Sequence, residues 1–173
     1  GFSIDDQPLD SEGRVDWFKL KQWSIVNAYI AKFQLAMGNS IIAEKSISKA
    51  IKQSGNSVPY QYYEVGIEAA AKTGNDDFCA HMCSEASRGV NFGLNSVHGN
   101  VETDLSQRLL RRAMVLAEHS KTFPTDELVD IYIRLAAYND TWALQTEHDN
   151  LERLELYKKA SELIPDSSPR KVD

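Results

Sequence analysis

The sequence of 173 residues lacks most of the features that assign a chain to a familiar class of protein. It contains only two cysteines, which cannot build a framework of disulfides. It has no run of about 18 apolar residues that could span a bilayer, and no basic stretch leading into an apolar run as in a secretion signal. Because the chain begins at Gly1 without a Met, we expect a processed form or a fragment of a longer protein.

Common catalytic motifs are also missing. The sequence contains no His-Glu-x-x-His, no phosphate-binding loop, no dinucleotide-binding glycine pattern and no Gly-x-Ser-x-Gly turn. Glu-x-x-His, which a di-iron helical bundle needs on two helices, does not occur either. We therefore expect a protein that is not an enzyme and that holds no cofactor.

The chain lacks an excess of positive charge. Twenty-five acidic and nineteen basic side chains give a net charge of −6 at pH 7. Since a phosphate backbone is bound by clustered Lys and Arg, this balance argues against a general nucleic-acid or anionic-membrane binder. Hydrophobic residues make up 42% and charged residues 25% of the chain, a composition typical of soluble globular proteins.

Strand signals are nearly absent, and helical periodicity dominates. We predict a flexible arm at residues 1–12, a single all-helical domain at 13–165 and a tail at 166–173. Short turns containing Gly38, Gly55 and Gly74 separate the first helices, which favours antiparallel neighbours. A longer loop is predicted at residues 89–100. The seven predicted helices span residues 14–37, 41–54, 60–73, 76–89, 101–121, 125–145 and 150–164.

The first helix has a candidate core face. Val26, Ile30, Phe33 and Met37 recur at steps of four, three and four, which places them on one stripe. The spacing predicts that this stripe packs against the following helix.

Two segments share one spacing of small and apolar residues. Gly38 is followed by Ala43, Ile47 and Ala50, and Gly74 is followed at the same offsets by Cys79, Cys83 and Ala86. The two glycines stand 36 residues apart, near the length of a tetratricopeptide unit. Through these residues the chain resembles the tetratricopeptide-repeat family over about 23–89. It resembles the family again over about 149–166, through Tyr157, Ala160 and Pro165.

The resemblance implies an all-α array of stacked hairpins, two of them at 14–89, with divergent helices at 101–164. An irregular helical bundle is the alternative, because several positions depart from the family pattern. Gly55 and Asn91 stand where a unit closes with Pro, His148 stands where the turn Gly would be, and Arg153 occupies a small crossing position. Residues 91–125 do not match, so it is open whether they form a repeat.

The family binds extended or helical peptides in a groove lined by the first helix of each pair. The resemblance places Tyr29, Lys32, Gln61, Glu64 and Glu68 at the groove positions of this chain. Two glutamates in that lining favour a basic or neutral partner. The leading hypothesis is a protein–protein interaction module, and the alternative is a regulatory or accessory domain of a larger enzyme or transcription regulator. The sequence gives no oligomeric state.

Two clusters have both a structural and a functional interpretation. Cys79 and Cys83 lie one helical turn apart, while His81 points to another side, so we interpret the cysteines as buried core thiols and predict no metal site. Free thiols fit a reducing, cytoplasmic location. Arg108, Arg111 and Arg112 form a basic face that either pairs with acidic neighbours or docks an acidic peptide or phosphate group.

Overall fold

The computed structural model describes residues 8–93, 99–140 and 147–164, with side chains described outside 89–104 and 138–149. The predicted all-α fold of about seven helices is confirmed. The described ranges contain no β-strand, and their β-type pairing is an isolated antiparallel bridge between Leu9 and Val15. The helices are α1 (Trp17–Ala36), α2 (Ser40–Ser54), α3 (Tyr60–Thr73), α4 (Asp76–Gly93), α5 (Gly99–His119), α6 (Thr125–Asp140) and α7 (Glu147–Leu163).

Several helix boundaries differ from the sequence-based expectation by one to four residues. The loop predicted at 89–100 is wrong at both ends, because α4 continues to Gly93 and α5 already begins at Gly99. Residues 94–98 lie outside the described residues. A glycine inside a helix costs only about 1 kcal/mol relative to alanine, so Gly89 does not end α4. The predicted tail at 166–173 lies outside the described residues.

Residues 8–16 form a hydrogen-bonded turn that leads into α1. The Asp10 carboxylate accepts the backbone N–H groups of Glu12 and Arg14 at 2.8 and 2.9 Å. The Asp16 carboxylate then caps α1 by accepting the Lys19 N–H at 3.0 Å. The described part of the predicted flexible arm, residues 8–12, is therefore held by side-chain-to-backbone bonds of the kind that aspartate favours in turns.

The chain divides into two compact units, the first ending at Phe78 and the second beginning at Cys79. In the first unit α2 packs against both α1 and α3, and α1 also contacts α3. Ala28 and Ala31 of α1 lie in one buried cluster with Ala43 and Ala50 of α2, so the two helices approach closely. Ile47 is fully buried in this cluster.

Polar side chains also join the helices of the first unit. The Ser24 hydroxyl donates to the Ala50 carbonyl at 2.9 Å, which satisfies a buried hydroxyl. Glu44 of α2 accepts hydrogen bonds from Thr73 and Asn75, at 2.9 and 2.6 Å. These bonds tie α2 to the end of α3.

The spacing shared by the two segments corresponds to burial. Gly38 and Gly74 have φ values of +80° and +69°, the left-handed conformation that lets a chain turn after a helix. The six residues placed at equal offsets after them are all at most 2% exposed: Ala43, Ile47, Ala50, Cys79, Cys83 and Ala86. The interpretation of both cysteines as buried core thiols is confirmed.

The predicted core face of α1 is wrong. Val26, Ile30, Phe33 and Met37 are exposed, and the buried side of α1 consists of Leu20, Ser24, Ala28, Ala31 and Leu35. The error has a physical cause, since α1 is apolar around most of its circumference and periodicity alone does not choose a side. The side with small residues packs because it lets α2 come closest.

The second unit is built from α4 after Phe78, α5, α6 and α7. There α6 packs against α5 and α7. Its fully buried side chains include Leu110 of α5 and Ile131 of α6, with Leu135 only 1% exposed. Most of the buried apolar residues of this unit are therefore aliphatic, as in the first unit.

Candidate binding site between α1 and α3

A pocket of about 300 Å³ lies between α1 and the beginning of α3. From α1 the pocket takes residues at 25, 28, 29 and 32, a spacing that places them on one side of a helix. From α3 it takes the cap residue and the first turn. The residues that line the pocket are Ile25, Ala28, Tyr29, Lys32, Pro59, Gln61 and Tyr62.

The pocket has a buried floor and a chemically mixed rim. Ala28 and Tyr62 are buried, whereas Tyr29 is 70% exposed and Lys32 and Gln61 are also exposed. An aromatic ring, an ammonium group and an amide thus surround one depression. This set can stack on a side chain, pair with a carboxylate and bond to a peptide backbone.

The electrostatics of the pocket favour negative charge. Lys32 is the charged residue of the lining, and the pocket lies at the amino end of α3, where the helix dipole is positive. Pro59 occupies the cap position and makes no side-chain hydrogen bond to the first turn. A ligand carboxylate at this position would therefore meet both the ammonium group and the positive end of the helix.

The structure brings together three of the five predicted groove residues. Tyr29, Lys32 and Gln61 all line the pocket. Glu64 and Glu68 are exposed farther along α3 and do not belong to the lining. Glu68 also forms an ion pair with Lys72 at 2.7 Å, so its charge is partly balanced.

Sequence reasoning missed four residues of the lining. Ile25 lies four residues before Tyr29 and Ala28 lies four residues before Lys32, a helical spacing that could have found them. Pro59 directly precedes the predicted helix at 60–73 and carries no separate signal of a binding site. Tyr62 gave no separate signal, because its aromatic ring is equally consistent with an ordinary core position.

One arginine of the predicted basic face on α5 is engaged in an internal contact. Arg111 makes a bidentate ion pair with Glu152 of α7, with Nη2 at 2.9 Å from Oε2. Arg108 and Arg112 are exposed. The central arginine therefore serves to join α5 to α7, because a forked pair of this kind fixes both side chains.

The cysteine segment is not arranged as a reactive or metal-binding centre. A hydrogen bond with Cys79 and burial both raise the pKa of the Cys83 thiol, which disfavours the reactive thiolate. His81 lies beside Glu127, with Nδ1 and Oε2 2.9 Å apart. Across the part of the chain that is described, no group of three or more His, Cys, Asp or Glu residues is placed to hold a metal ion.

Comparison with known proteins adds no assignment. The sequence matches no protein-family model, and no curated protein matches it. No described helix is long and apolar enough to cross a membrane. A function must therefore be inferred from the pocket and the surfaces around it.

Proposed function

We propose that the first unit is a protein-interaction module that binds a segment of another protein in the pocket between α1 and α3. The observation that carries the proposal is the meeting of Tyr29, Lys32 and Gln61 at one depression. These three belong to the groove positions implied by the resemblance to tetratricopeptide repeats. That resemblance remains part of the proposal.

The lining suggests how a segment binds. An apolar or aromatic side chain of the ligand enters the depression beside Ile25 and stacks against the exposed ring of Tyr29. A ligand carboxylate pairs with Lys32, and Gln61 bonds to the peptide backbone. The preferred segment is therefore apolar with an adjacent acidic group, because Glu64 and Glu68 lie outside the lining.

The packing order of the helices supports this assignment. The walls of the pocket come from α1 and α3, and α2 packs against both of these helices. Small residues at 28, 43 and 50 keep the helices close, so the pocket has rigid walls. A site on rigid elements loses little entropy when it binds a flexible segment.

A peptide library tests the proposal. Phage-displayed random peptides are selected on the immobilised full chain, and the affinity of each selected peptide is measured by fluorescence polarisation. Tyr29→Ala and Lys32→Glu are each expected to weaken binding about tenfold or more, as for anchors at the centre of an interface. The matched controls are Tyr157→Ala and Lys158→Glu, which change exposed residues of α7 and should leave affinity unchanged.

Two results would count against the pocket. Peptides that bind both pocket variants as tightly as the original chain would locate the site elsewhere. Failure to select any peptide over the background of an unrelated helical protein would remove the binding activity itself. Melting curves by circular dichroism confirm that each variant is folded.

A further inference from the structure

The side of α1 that faces away from the core carries a regular row of large apolar residues. Starting at Trp23, the row advances by three, four, three and four residues. This is the spacing of the a and d positions in a coiled coil, where one helix packs against another. We name the row the outer seam: Trp23, Val26, Ile30, Phe33 and Met37.

The outer seam is exposed to solvent. Its five side chains are between 40% and 63% exposed, and the surface continues at the start of α2 with Ile41 and Ile42, at 64% and 49%. Monomeric proteins rarely leave an apolar patch larger than a few hundred Å² uncovered unless it binds something. A helix that is apolar on all sides is normally covered on all sides.

The charge around the outer seam is opposite to the charge of the whole chain. Residues 17–54, which form α1 and α2, contain six lysines and one glutamate and carry a net charge of +5, against −6 for the protein. The overall balance therefore conceals a basic hairpin. Three of the lysines, Lys45, Lys49 and Lys52, are exposed on α2 at steps of four and three, which we name the lysine row.

A hydrogen bond between α1 and α2 locates the lysine row beside the outer seam. Asn27 lies next to Trp23 at the edge of the seam, and its side-chain amide donates both to the Trp23 carbonyl and to Gln53 Oε1, at 3.1 and 2.9 Å. Gln53 directly follows Lys52 and lies one turn from Lys49. The two rows thus run along neighbouring helices on the same side of the hairpin.

We propose that the outer seam and the lysine row together dock an acidic amphipathic helix of a partner protein. The apolar side of that helix packs against the seam, and its acidic side faces the lysines. The seam spans 15 residues, about 21 Å at the helical rise, so it accommodates about four turns. This surface is separate from the pocket between α1 and α3, and the proposal does not depend on the function proposed for that pocket.

Charge favours an acidic helix over a second copy of the chain. Two hairpins meeting seam to seam would bring two regions of net charge +5 together, which opposes association. The polar residues that flank the seam, Gln22, Asn27 and Gln34, carry no acid that would offset this repulsion. An acidic partner instead gains Coulomb attraction along the whole contact.

Two matched peptides test the proposal. Both have three heptads with Leu at a and d; one has Glu at e and g and the other has Lys there, so neither associates with itself. Isothermal titration calorimetry measures the binding of each to the full chain. We expect the Glu peptide to bind at least tenfold more tightly than the Lys peptide, with an advantage that shrinks at high salt.

Variants then test the outer seam and the lysine row one at a time. Phe33→Glu should abolish binding of the Glu peptide, because it places a charge in the apolar seam. Lys49→Glu combined with Lys52→Glu should weaken binding about tenfold and reduce the preference for the Glu peptide. Val115→Glu is the matched control, since it puts the same charge on an exposed apolar position of the second unit. Tyr29→Ala should leave binding of the Glu peptide unchanged, which keeps this test distinct from the pocket test.

Several outcomes would overturn the proposal. Equal affinity for the two peptides, or no binding of either, would refute an acidic helix. Sedimentation of the chain alone as a dimer that Phe33→Glu converts to monomer would assign the seam to a second copy. Binding to phosphatidylserine-containing vesicles that Phe33→Glu abolishes, without peptide binding, would assign it to a membrane surface. Circular dichroism confirms that each variant retains the helical content of the original chain.

Discussion

The two units of the molecule differ in the contacts that hold their helices together. In the first unit, alanines at 28, 31, 43 and 50 bring α1 and α2 into close contact, and Ile47 fills the space beside them. Polar side chains link helices in both units, but in the second unit several of them converge on a single arginine. The side chain of Arg134 on α6, only 18% exposed, reaches α4 and donates to the carbonyl of Ser84 at 3.2 Å.

Further polar contacts surround Arg134 in the second unit. Its guanidinium also bonds to the hydroxyl of Ser87 and forms an ion pair with Asp130 at 3.3 Å. The fully buried hydroxyl of Ser106 on α5 donates to the Ser87 carbonyl at 2.9 Å, so three helices meet at one polar cluster. The polar links described for the first unit join helices in pairs, whereas this cluster in the second unit joins three helices and depends on each of its polar groups keeping a partner.

The largest effect is expected from a substitution in the closely packed core of the first unit. Ile47→Ala removes a fully buried side chain and should lower the free energy of unfolding by about 2–5 kcal/mol, because a cavity remains. Urea denaturation followed by circular dichroism measures the loss. Ile42→Ala is the control on the same helix and should cost less than about 1 kcal/mol, because Ile42 is exposed. Equal losses for the two would contradict the packing of α2 described above.

The next largest effect is expected from a substitution that removes the arginine of the polar cluster in the second unit. Arg134→Met keeps most of the side-chain volume but leaves the Ser87 hydroxyl and the Ser84 carbonyl with fewer partners. The free energy of unfolding should fall by about 1.5–3 kcal/mol, the range for hydrogen bonds to charged groups. Arg134→Lys should not restore it, since a single ammonium group cannot span Ser84, Ser87 and Asp130.

A matched substitution separates the cluster from a general effect of charge. Lys121→Met removes one positive charge from an exposed position and should change the free energy of unfolding by less than about 0.5 kcal/mol. If Arg134→Met proves as mild as Lys121→Met in the same urea titration, the cluster does not stabilise the second unit.

The smallest effect concerns the pH dependence of an ion pair between α5 and α7. Glu118 accepts hydrogen bonds from Tyr132 and Lys159, at 2.7 and 2.9 Å. Burial alone would raise the pKa of Glu118, but these two donors outweigh it and hold the pKa below the ordinary value of 4.5. A lowered pKa means that the stabilisation is fully present above about pH 4.5 and is lost as pH falls through the folded-state value.

Glu118→Gln tests this dependence. The original chain should exceed the variant in free energy of unfolding by about 1 kcal/mol or less at pH 7, and the difference should disappear at acidic pH. Urea titrations between pH 3 and pH 7 measure it. Glu162→Gln is the control, because Glu162 is exposed and its Oε1 lies 3.9 Å from Lys158 Nζ, a longer contact than that of Glu118 with Lys159. A difference that stays constant with pH would show that the Glu118 carboxylate does not stabilise through its charge.

Features encoded over short stretches of sequence could be predicted. The turns at Gly38 and Gly74 and the small residues that follow them correctly identified buried positions in α2 and α4. The resemblance to tetratricopeptide repeats implied groove positions that include Tyr29, Lys32 and Gln61, and these three residues line one pocket. The side of α1 that packs could not be predicted, because both sides of that helix are apolar. The contact of Arg134 with Ser84 joins residues 50 apart, and no local pattern announces such a pair.

The two cysteines provide a built-in probe of local opening in α4. Cys79 and Cys83 are buried and are not joined in a disulfide, and hydrogen bonding with burial keeps the pKa of the Cys83 thiol high. A water-soluble thiol reagent can reach them only after α4 has separated from its neighbours, since a buried thiol is inert. The rate of modification at low denaturant therefore measures how often α4 opens, and the natural sequence reports this local motion without an added label.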